Sequence, residues 1–349
     1  MAVLTGHRRA SVSVVITGLT LTLLVASIYA LLQGPISIAP QTVFDTIFRH
    51  GDGVDSPHKA ILTEIRLPRL LLAMLVGAVL AVCGTAMQGL FRNALADPSL
   101  IGVTSGASAG AACVIVLGSS WPLLLSELGL PLVTIGAALG GFVSVMLVYR
   151  LATNDRGTAV ATMLLAGIAI GAIAAAVSNL FSYFADNDML RRISLWQMGS
   201  LEGANWPRVL LIAVFALLSA IVLPRQAQAF NALLLGESEA RHLGIDVERL
   251  KRRTVIVVAA GVGATVAVAG IIAFVGLAVP HMLRLLIGPD NRALIPASFL
   301  GGALLVVVAD TVARQLVAPA ELPTGIVTAL IGAPVFFSLL LHERRRIAS

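Results

Sequence analysis

Long apolar stretches, separated by short segments rich in proline, glycine or charge, run along nearly the whole chain. An α-helix of about twenty apolar residues is long enough to cross the hydrocarbon core of a bilayer. The pattern gives ten such windows, at 12–32, 67–89, 99–119, 131–151, 159–182, 206–224, 254–274, 276–287, 294–313 and 324–341. The sequence therefore predicts an all-α integral membrane protein.

Two parts of this pattern need interpretation. The first window follows His7, Arg8 and Arg9, as a signal peptide would, but it is too long for the apolar region of a signal peptide. We expect it to be a retained first helix. The seventh and eighth windows run together through Gly270–Pro280, and the eighth is too short to span alone. We expect that eighth helix to be packed inside protein, away from lipid.

Composition agrees with lipid as the main solvent, because 58% of the residues are hydrophobic and only 12% are charged. The net charge is +6, and all basic residues except Lys59 and Lys251 are arginines. No aromatic–basic interleaving or nucleic-acid motif accompanies them, so the charge predicts membrane topology and no nucleic-acid partner. Cys83 and Cys113 lie in apolar segments, which indicates neither a disulfide framework nor a metal site.

The distribution of arginine predicts sidedness. With ten spans both termini lie on one side. If that side is the cytoplasm, the inner segments carry about twice as many basic residues as the outer ones, as expected for membrane proteins. The outer minority includes Arg66 and Arg69 at the mouth of the second span and Arg314 at the end of the ninth. Arg314 follows Asp310 by four residues and could pair with it. Alternatively, these arginines form a positive rim that receives an acidic partner.

Small-residue strings at Gly102–Ala112 and Gly136–Ser144 indicate close helix packing in lipid. The alternative is that some of these helices line a wide solute pathway. Asp97 and Pro98 are well placed to begin the third helix, as N-cap and first helical residue.

The longest inner loop, 225–253, is too polar to insert into a bilayer. Its pattern predicts two short helices, Gln228–Leu235 and Glu237–Leu243, each followed by a glycine. The second has acids in its first turn and bases in its last, and Glu237–Arg241 and Glu248–Arg252 have the favourable i,i+4 order. The loop is either a solvated connector or a docking surface for another protein.

The sequence lacks the motifs of a protein that binds ATP, couples transport to protons or catalyses a reaction. No phosphate-binding loop surrounds either lysine. No chain of acids or histidines suitable for proton coupling lies within the spans, and no cluster of groups suggests catalysis. An active transporter with this sequence would use energy released by a partner.

Several long motifs, in order and over essentially the whole chain, resemble the FecCD-type permeases of ABC importers, which take up ferric siderophores, haem and cobalamin. They are Arg66-Leu67-Pro68-Arg69 with Gly77; Gln88-Gly89-Leu90-Phe91-Arg92-Asn93-Ala94-Leu95-Ala96-Asp97-Pro98; Leu235-Gly236-Glu237 through Ala240, with Leu243-Gly244; Ala267-Val268-Ala269-Gly270; Phe274-Val275-Gly276-Leu277; Val279-Pro280-His281 with Arg284; Ala309-Asp310 with Arg314; and Glu321-Leu322-Pro323-Thr324-Gly325-Ile326-Val327-Thr328-Ala329, with Gly332-Ala333-Pro334.

The resemblance implies a single transmembrane permease domain over 1–349, with the type II ABC importer fold. It also implies a homodimer of ten-helix subunits in the bacterial inner membrane, with the translocation pathway on the dimer axis. A periplasmic binding protein would dock on Arg66, Arg69 and Arg314. Two ATPase subunits would contact the coupling loop within 225–253, at Leu235, Gly236, Glu237, Ala240, Arg241, Leu243 and Gly244.

In the family an inner gate closes the pathway. The resemblance places Asn93 and Leu95 at this gate, with Val160 and Ala161 opposite; the last two depart from the small polar residues expected there. It implies that the chain itself is not an enzyme and binds no cofactor, since ATP and Mg²⁺ belong to the partner ATPase.

The double arginine Arg191–Arg192 follows the fifth span, where a cobalamin permease would have one arginine. An added cation at the pathway mouth would suit an anionic solute, so we expect haem, with its propionates, as the substrate. Ferric siderophores and cobalamin are the alternatives within the family. A proton- or sodium-coupled transporter and a membrane-embedded enzyme are the alternatives outside it.

Overall fold

The computed structural model describes residues 10–34, 57–118, 122–155, 157–317 and 320–348, together with single positions between 36 and 43. The predicted topological residues His7, Arg8, Arg9, Arg49 and Arg156 lie outside the described part. The α-helices are α1 (Val12–Leu32), α2 (Pro57–Phe91), α3 (Val103–Leu117), α4 (Pro122–Ala152), α5 (Val160–Phe184), α6 (Asn187–Gln197), α7 (Trp206–Arg225), α8 (Ala227–Leu233), α9 (Glu237–His242), α10 (Val247–Ala269), α11 (Val275–Ile287), α12 (Asn291–Leu316) and α13 (Thr324–Ala348).

Each of the ten predicted windows falls on one of these helices. Seven of the described helices are long and apolar enough to cross a membrane: α1, α2, the Pro131–Ala152 part of α4, α5, α7, α10 and α12. Three shorter apolar helices, Val103–Leu117, Val275–Ile287 and Thr324–Phe337, account for the remaining windows. The all-α membrane fold is confirmed, while the count of ten spans and the homodimer stay predictions.

The helix α2 is the centre of the subunit. It contains a π-helical stretch, Ile61–Arg66, and 83% of its most apolar window is buried. Glycines let its backbone approach two other helices closely. A Cβ added at Gly77 would lie 2.7 Å from the carbonyl carbon of Gly302 in α12, and one at Gly84 would lie 2.7 Å from the Cα of Gly276 in α11. No side chain fits at either crossing.

A second glycine seam joins α3 and α4. A Cβ added at Gly110 would lie 2.8 Å from the carbonyl carbon of Gly136, and one at Gly106 would lie 3.0 Å from that of Gly140. The two small-residue strings singled out in the sequence therefore pack against each other, as the close-packing interpretation predicts.

The uncertain boundary between the seventh and eighth windows is a break in the helix. The helix α10 ends at Ala269, and Gly270 (φ +68°) and Phe274 (φ +66°) turn the chain before α11 begins at Val275. The interrupted backbone is held inside protein, since the Ala269 carbonyl accepts a 2.8 Å hydrogen bond from the amide of Ser200. Most of α11 is buried, as expected for a helix too short to span.

The third window begins as predicted but not with an α-helix. The Asp97 side chain accepts a 2.8 Å hydrogen bond from the Ser99 amide, and Pro98 opens a 3₁₀ helix, Pro98–Ile101. Gly102, at φ +78°, then redirects the chain into α3. Two short strands, β1 (Thr153–Asn154) and β2 (Gly157–Thr158), form an antiparallel hairpin between α4 and α5.

Candidate functional site

The three arginines at the predicted outer end lie together, but each is engaged within the chain. Asp310 in α12 accepts from Arg69 at 2.9 and 3.1 Å, and its Oδ2 lies 3.2 Å from Nε of Arg314. Nη1 of Arg69 also donates to Glu321 at 2.7 Å, and Thr324 donates to Asp310 at 3.2 Å. The predicted Asp310–Arg314 pair is confirmed; the roles of Arg69 and Glu321 in it were not foreseen.

Arg66 has carbonyl oxygens as its partners. Its guanidinium, which is buried, donates to the carbonyls of Leu31 at 2.6 Å and Leu32 at 3.0 Å, and also to that of Ile36. A cation at the carboxyl end of α1 satisfies carbonyls that have no partner within the helix. In this structure the guanidiniums of Arg66 and Arg69 therefore have partners within the chain, and they do not form a rim of unpaired positive charges.

The predicted coupling loop contains two short helices, as its sequence indicates. Helix α9 ends as expected, with Gly244 at φ +81°. Ala240 is fully buried beneath the loop, whereas Leu235 and Leu243 are 67% and 62% exposed. Because these two leucines lie outside the predicted spans, they are available to pack against another protein.

Ion pairs in this loop differ in part from the expected ones. The Glu237–Arg241 pair is present, with 3.9 Å between Oε2 and Nη2. The expected Glu248–Arg252 pair is wrong: Glu248 lies 3.6 Å from Arg241 and 3.1 Å from Lys251. The reason is that Glu248 turns towards the buried ammonium of Lys251, while Arg252 is on the exposed side of α10.

The loop is also tied to the start of α12. Asn231 in α8 donates to Oδ1 of Asp290 at 2.7 Å, and the same oxygen accepts from the amide of Arg292 at 3.0 Å. The Arg292 amide, and after it the Asn231 amide, hold the pKa of the Asp290 carboxyl below its usual value. Asp290 thus acts as the N-cap of α12 and as an anchor for α8.

The predicted gate residues lie at helix ends. Asn93 follows the end of α2, where Arg92 turns the chain at φ +52°, and its Oδ1 accepts from the Leu95 amide at 2.9 Å. Both side chains are exposed. Val160 is the first residue of α5, followed by exposed Ala161. The described contacts do not bring the two pairs together, and the gate itself stays a prediction.

Arg191 and Arg192 lie on α6, an amphipathic helix capped by Asp186, whose side chain accepts from the Met189 amide at 2.8 Å. Both arginines are exposed, and within the described part of the chain neither is paired with a carboxylate. Their charges are therefore available to a solute or a partner.

A cavity of about 420 Å³ lies between the 3₁₀ helix and the break that precedes α11. Its lining is mostly apolar, from residues such as Leu80, Val266 and Phe274, and its polar groups come from Asp97, Ser99, Thr104 and Ser105. Apolar walls with a few polar groups are typical of a small-molecule site.

The comparison with known families decides the class of the protein. Residues 21–342 match the profile of the FecCD transport family. This chain belongs to that family. The motif resemblance is confirmed, and the protein is a permease subunit of the ABC importer type.

Relatives in the FecCD family have different named solutes. The Hemin transport system permease protein HmuU of Yersinia pestis is 43% identical over 90% of this chain and 91% of its own length. The Cobalamin import system permease protein BtuC of Halobacterium salinarum is 42% identical over 84% of this chain and 76% of its own length.

The fold agrees with solved transporters. A structure described as an inward-facing conformation of a metal-chelate type ABC transporter superposes with a TM-score of 0.82 at 32% identity, covering 95% of this chain and 99% of that one. PsaBC from Streptococcus pneumoniae, solved with a Fab, gives 0.55 at 16% identity, covering 78% of this chain and 89% of that one, which indicates a shared fold alone.

Proposed function

We propose that this chain is the membrane permease of a haem importer of the bacterial inner membrane, with both termini in the cytoplasm. The choice of haem as the substrate rests on the 43% identity to a permease named for hemin, over nine-tenths of both chains. The unpaired arginines Arg191 and Arg192 support it, because two cations suit the two propionates of haem. Cobalamin is the second candidate, favoured by the identity to the Halobacterium permease.

The energy for transport comes from a partner ATPase, which binds ATP and Mg²⁺ and docks on the coupling loop of a homodimer. The exposed Leu235 and Leu243 on either side of α9 support this docking. Within the described residues, the one fully buried carboxylate is that of Asp310, and it is committed to Arg69 and Arg314. That commitment favours an ATP-driven importer over a proton-coupled one.

A periplasmic binding protein delivers the solute at the outer face. Arg66, Arg69 and Arg314 are the residues proposed to receive it. Because all three have partners within the chain, docking requires acidic groups of the binding protein to replace some of those partners. Glu321 is the most accessible of them, with 29% of its side chain exposed.

The test is ATP-dependent uptake by the complex reconstituted in liposomes, with haem, a ferric siderophore and cobalamin as competing solutes. We expect haem uptake that requires ATP and the binding protein. The double variant Arg191→Gln/Arg192→Gln should lower haem uptake, and Arg150→Gln, an exposed arginine near the end of α4 and outside the coupling loop, is the control. ATP-driven uptake of cobalamin but not haem would make cobalamin the substrate. Uptake driven by a proton gradient without ATP would overturn the importer class.

A further inference from the structure

Lys251 is a buried lysine in a chain whose other basic residues, apart from Lys59, are all arginines. It lies in α10 with its side chain 3% exposed. Its ammonium donates to the carbonyl of Thr158 at 2.6 Å, to Glu237 at 2.9 Å and to Glu248 at 3.1 Å. A compact ammonium has three donors, and here each donor meets a different oxygen.

The three acceptors belong to three different parts of the subunit. Glu237 is the first residue of α9, at the centre of the coupling loop. Thr158 is in β2, two positions before α5 and the predicted gate residue Val160. Glu248 is in the same helix as Lys251. One side chain therefore joins the predicted ATPase-contacting surface to the strand that leads into the predicted gate.

The attachment of the hairpin is double. While the Thr158 carbonyl accepts from Lys251, the Thr158 amide donates to Oε2 of Glu248 at 2.7 Å. Gly157, at φ +111°, leaves room for this carboxylate, since an added Cβ would lie 2.6 Å from its Cδ. Two hydrogen bonds on one residue fix both the position and the orientation of β2.

Hydrogen bonds also join the two strands of the hairpin and the helices on either side of it. The hydroxyls of Thr153 and Thr158 lie 3.1 Å apart, and the amide of Ala159 donates to the carbonyl of Ala152 at 2.9 Å. The last residue of α4 and the residue before α5 are thereby joined. Thr158 is thus part of a hydrogen-bonded segment that leads directly into α5.

The charges around the buried ammonium of Lys251 are balanced. Glu237 and Glu248 carry two negative charges, and Lys251 and the more exposed Arg241 carry two positive ones. Removal of the ammonium would leave two carboxylates facing each other without their central cation.

We propose that Lys251 is a positioning residue that transmits movement of α9 to the hairpin and so to the gate end of α5. The proposal rests on the proposed function, in which an ATPase moves α9 and the start of α5 closes the pathway. Lys251 touches neither the ATPase nor the solute; it acts through Glu237 on one side and Thr158 on the other.

The experiment uses the complete importer in liposomes. A parent chain carries Cys83→Ala, Cys113→Ala and the reporter substitution Ala159→Cys, at an exposed position immediately before α5 and outside the predicted gate residues. Three quantities are measured: ATP hydrolysis, solute uptake per ATP, and the rate of maleimide modification of the reporter with and without ATP. Lys251→Met is the test variant, Glu237→Gln weakens the same link from the other side by removing the negative charge, and Arg252→Met is the control for loss of an exposed cation on the same helix.

In Lys251→Met we expect ATP hydrolysis to continue while uptake per ATP falls about tenfold, the size of a typical coupling between two sites. The ATP-dependent change in maleimide reactivity should disappear. Glu237→Gln should also lower the uptake per ATP and the ATP-dependent change in maleimide reactivity. Arg252→Met should behave as the parent.

Three results would count against these ideas. Normal uptake per ATP and a normal reporter response in both Lys251→Met and Glu237→Gln would overturn the inference alone. Joint loss of complex assembly and hydrolysis in Lys251→Met would assign the lysine a purely structural role, which also overturns it. An unsubstituted complex in which ATP drives no solute uptake would overturn the proposed function.

Discussion

Arg69 and Asp310 are 241 positions apart in the sequence, yet Nη2 and Nε of the arginine lie 2.9 and 3.1 Å from the two carboxylate oxygens. The same carboxylate serves Arg314. One aspartate thus bridges two largely buried guanidiniums and joins α2 to α12, while Glu321, paired with Arg69, supplies the second negative charge.

Substitution of this aspartate should destabilise the subunit strongly. Asp310→Ala leaves two buried cations without their shared partner, and removing one member of a buried ion pair costs about 3–5 kcal/mol. The melting temperature of the detergent-solubilised chain, followed by tryptophan fluorescence, should fall clearly. Glu321→Gln is the control, and its smaller effect follows from the 29% exposure of that side chain. Equal melting temperatures for Asp310→Ala and the parent would contradict this account.

The glycine contact between α2 and α11 gives a second prediction. Gly84→Ala places a methyl group 2.7 Å from the Cα of Gly276, and overpacking of this kind costs roughly 1–3 kcal/mol. The matched control is Gly18→Ala in α1, where an added Cβ meets nothing within 4 Å. Thermal melting should separate the two variants. Equal stability of both would mean that α2 and α11 can move apart at no cost.

Substitutions of Arg66 can distinguish a structural role of this residue within the subunit from a role in docking the binding protein. Its guanidinium binds the carbonyls at the end of α1, so Arg66→Met should lower the melting temperature of the isolated chain. Arg66→Lys should recover only part of the loss, because an ammonium cannot reproduce the planar fork. If Arg66 instead serves docking alone, Arg66→Met will weaken binding-protein affinity and leave the melting temperature unchanged.

Asp290 makes the stability of the subunit depend on acidity. Because folding lowers the pKa of Asp290, the carboxylate is protonated at a higher pH in the unfolded chain than in the folded one. Its contribution to the free energy of unfolding is therefore complete above the pKa of the unfolded chain, and it is lost as the pH falls through the pKa of the folded chain. Melting temperatures measured in steps of pH from 6 down to about 3 should decline less steeply for Asp290→Asn than for the parent. Parallel declines would show that the carboxylate contributes nothing to the acid dependence.

Local features of the sequence predicted much of this structure. Apolar windows located the helices, since span length is set by the bilayer. The Asp310–Arg314 pair follows from i,i+4 spacing, and the Asp97 cap from the residues around Pro98. The family followed from motifs spread along the chain.

Long-range partners could not be predicted in the same way. Arg69 meets Asp310, and Lys251 meets Thr158, only because packed helices bring distant segments together. The Glu248–Arg252 expectation failed for that reason: the Thr158 amide of the distant strand β2, together with Lys251 in the same helix, draws the Glu248 carboxylate away from Arg252. The rarity of lysine in this chain was the one available sign of a special site.

The glycine contacts hold two groups of helices at close backbone distance. Helices α2, α11 and α12 are locked backbone to backbone through Gly77 and Gly84, and α3 and α4 through Gly106 and Gly110. Residues 92–102 connect α2 to α3 and lie against glycines of two further helices: Pro98 lies beside Gly276 of α11, and Leu100 lies beside Gly167 of α5. A side chain at Gly276 or Gly167 would therefore displace the segment that carries Asn93 and Leu95.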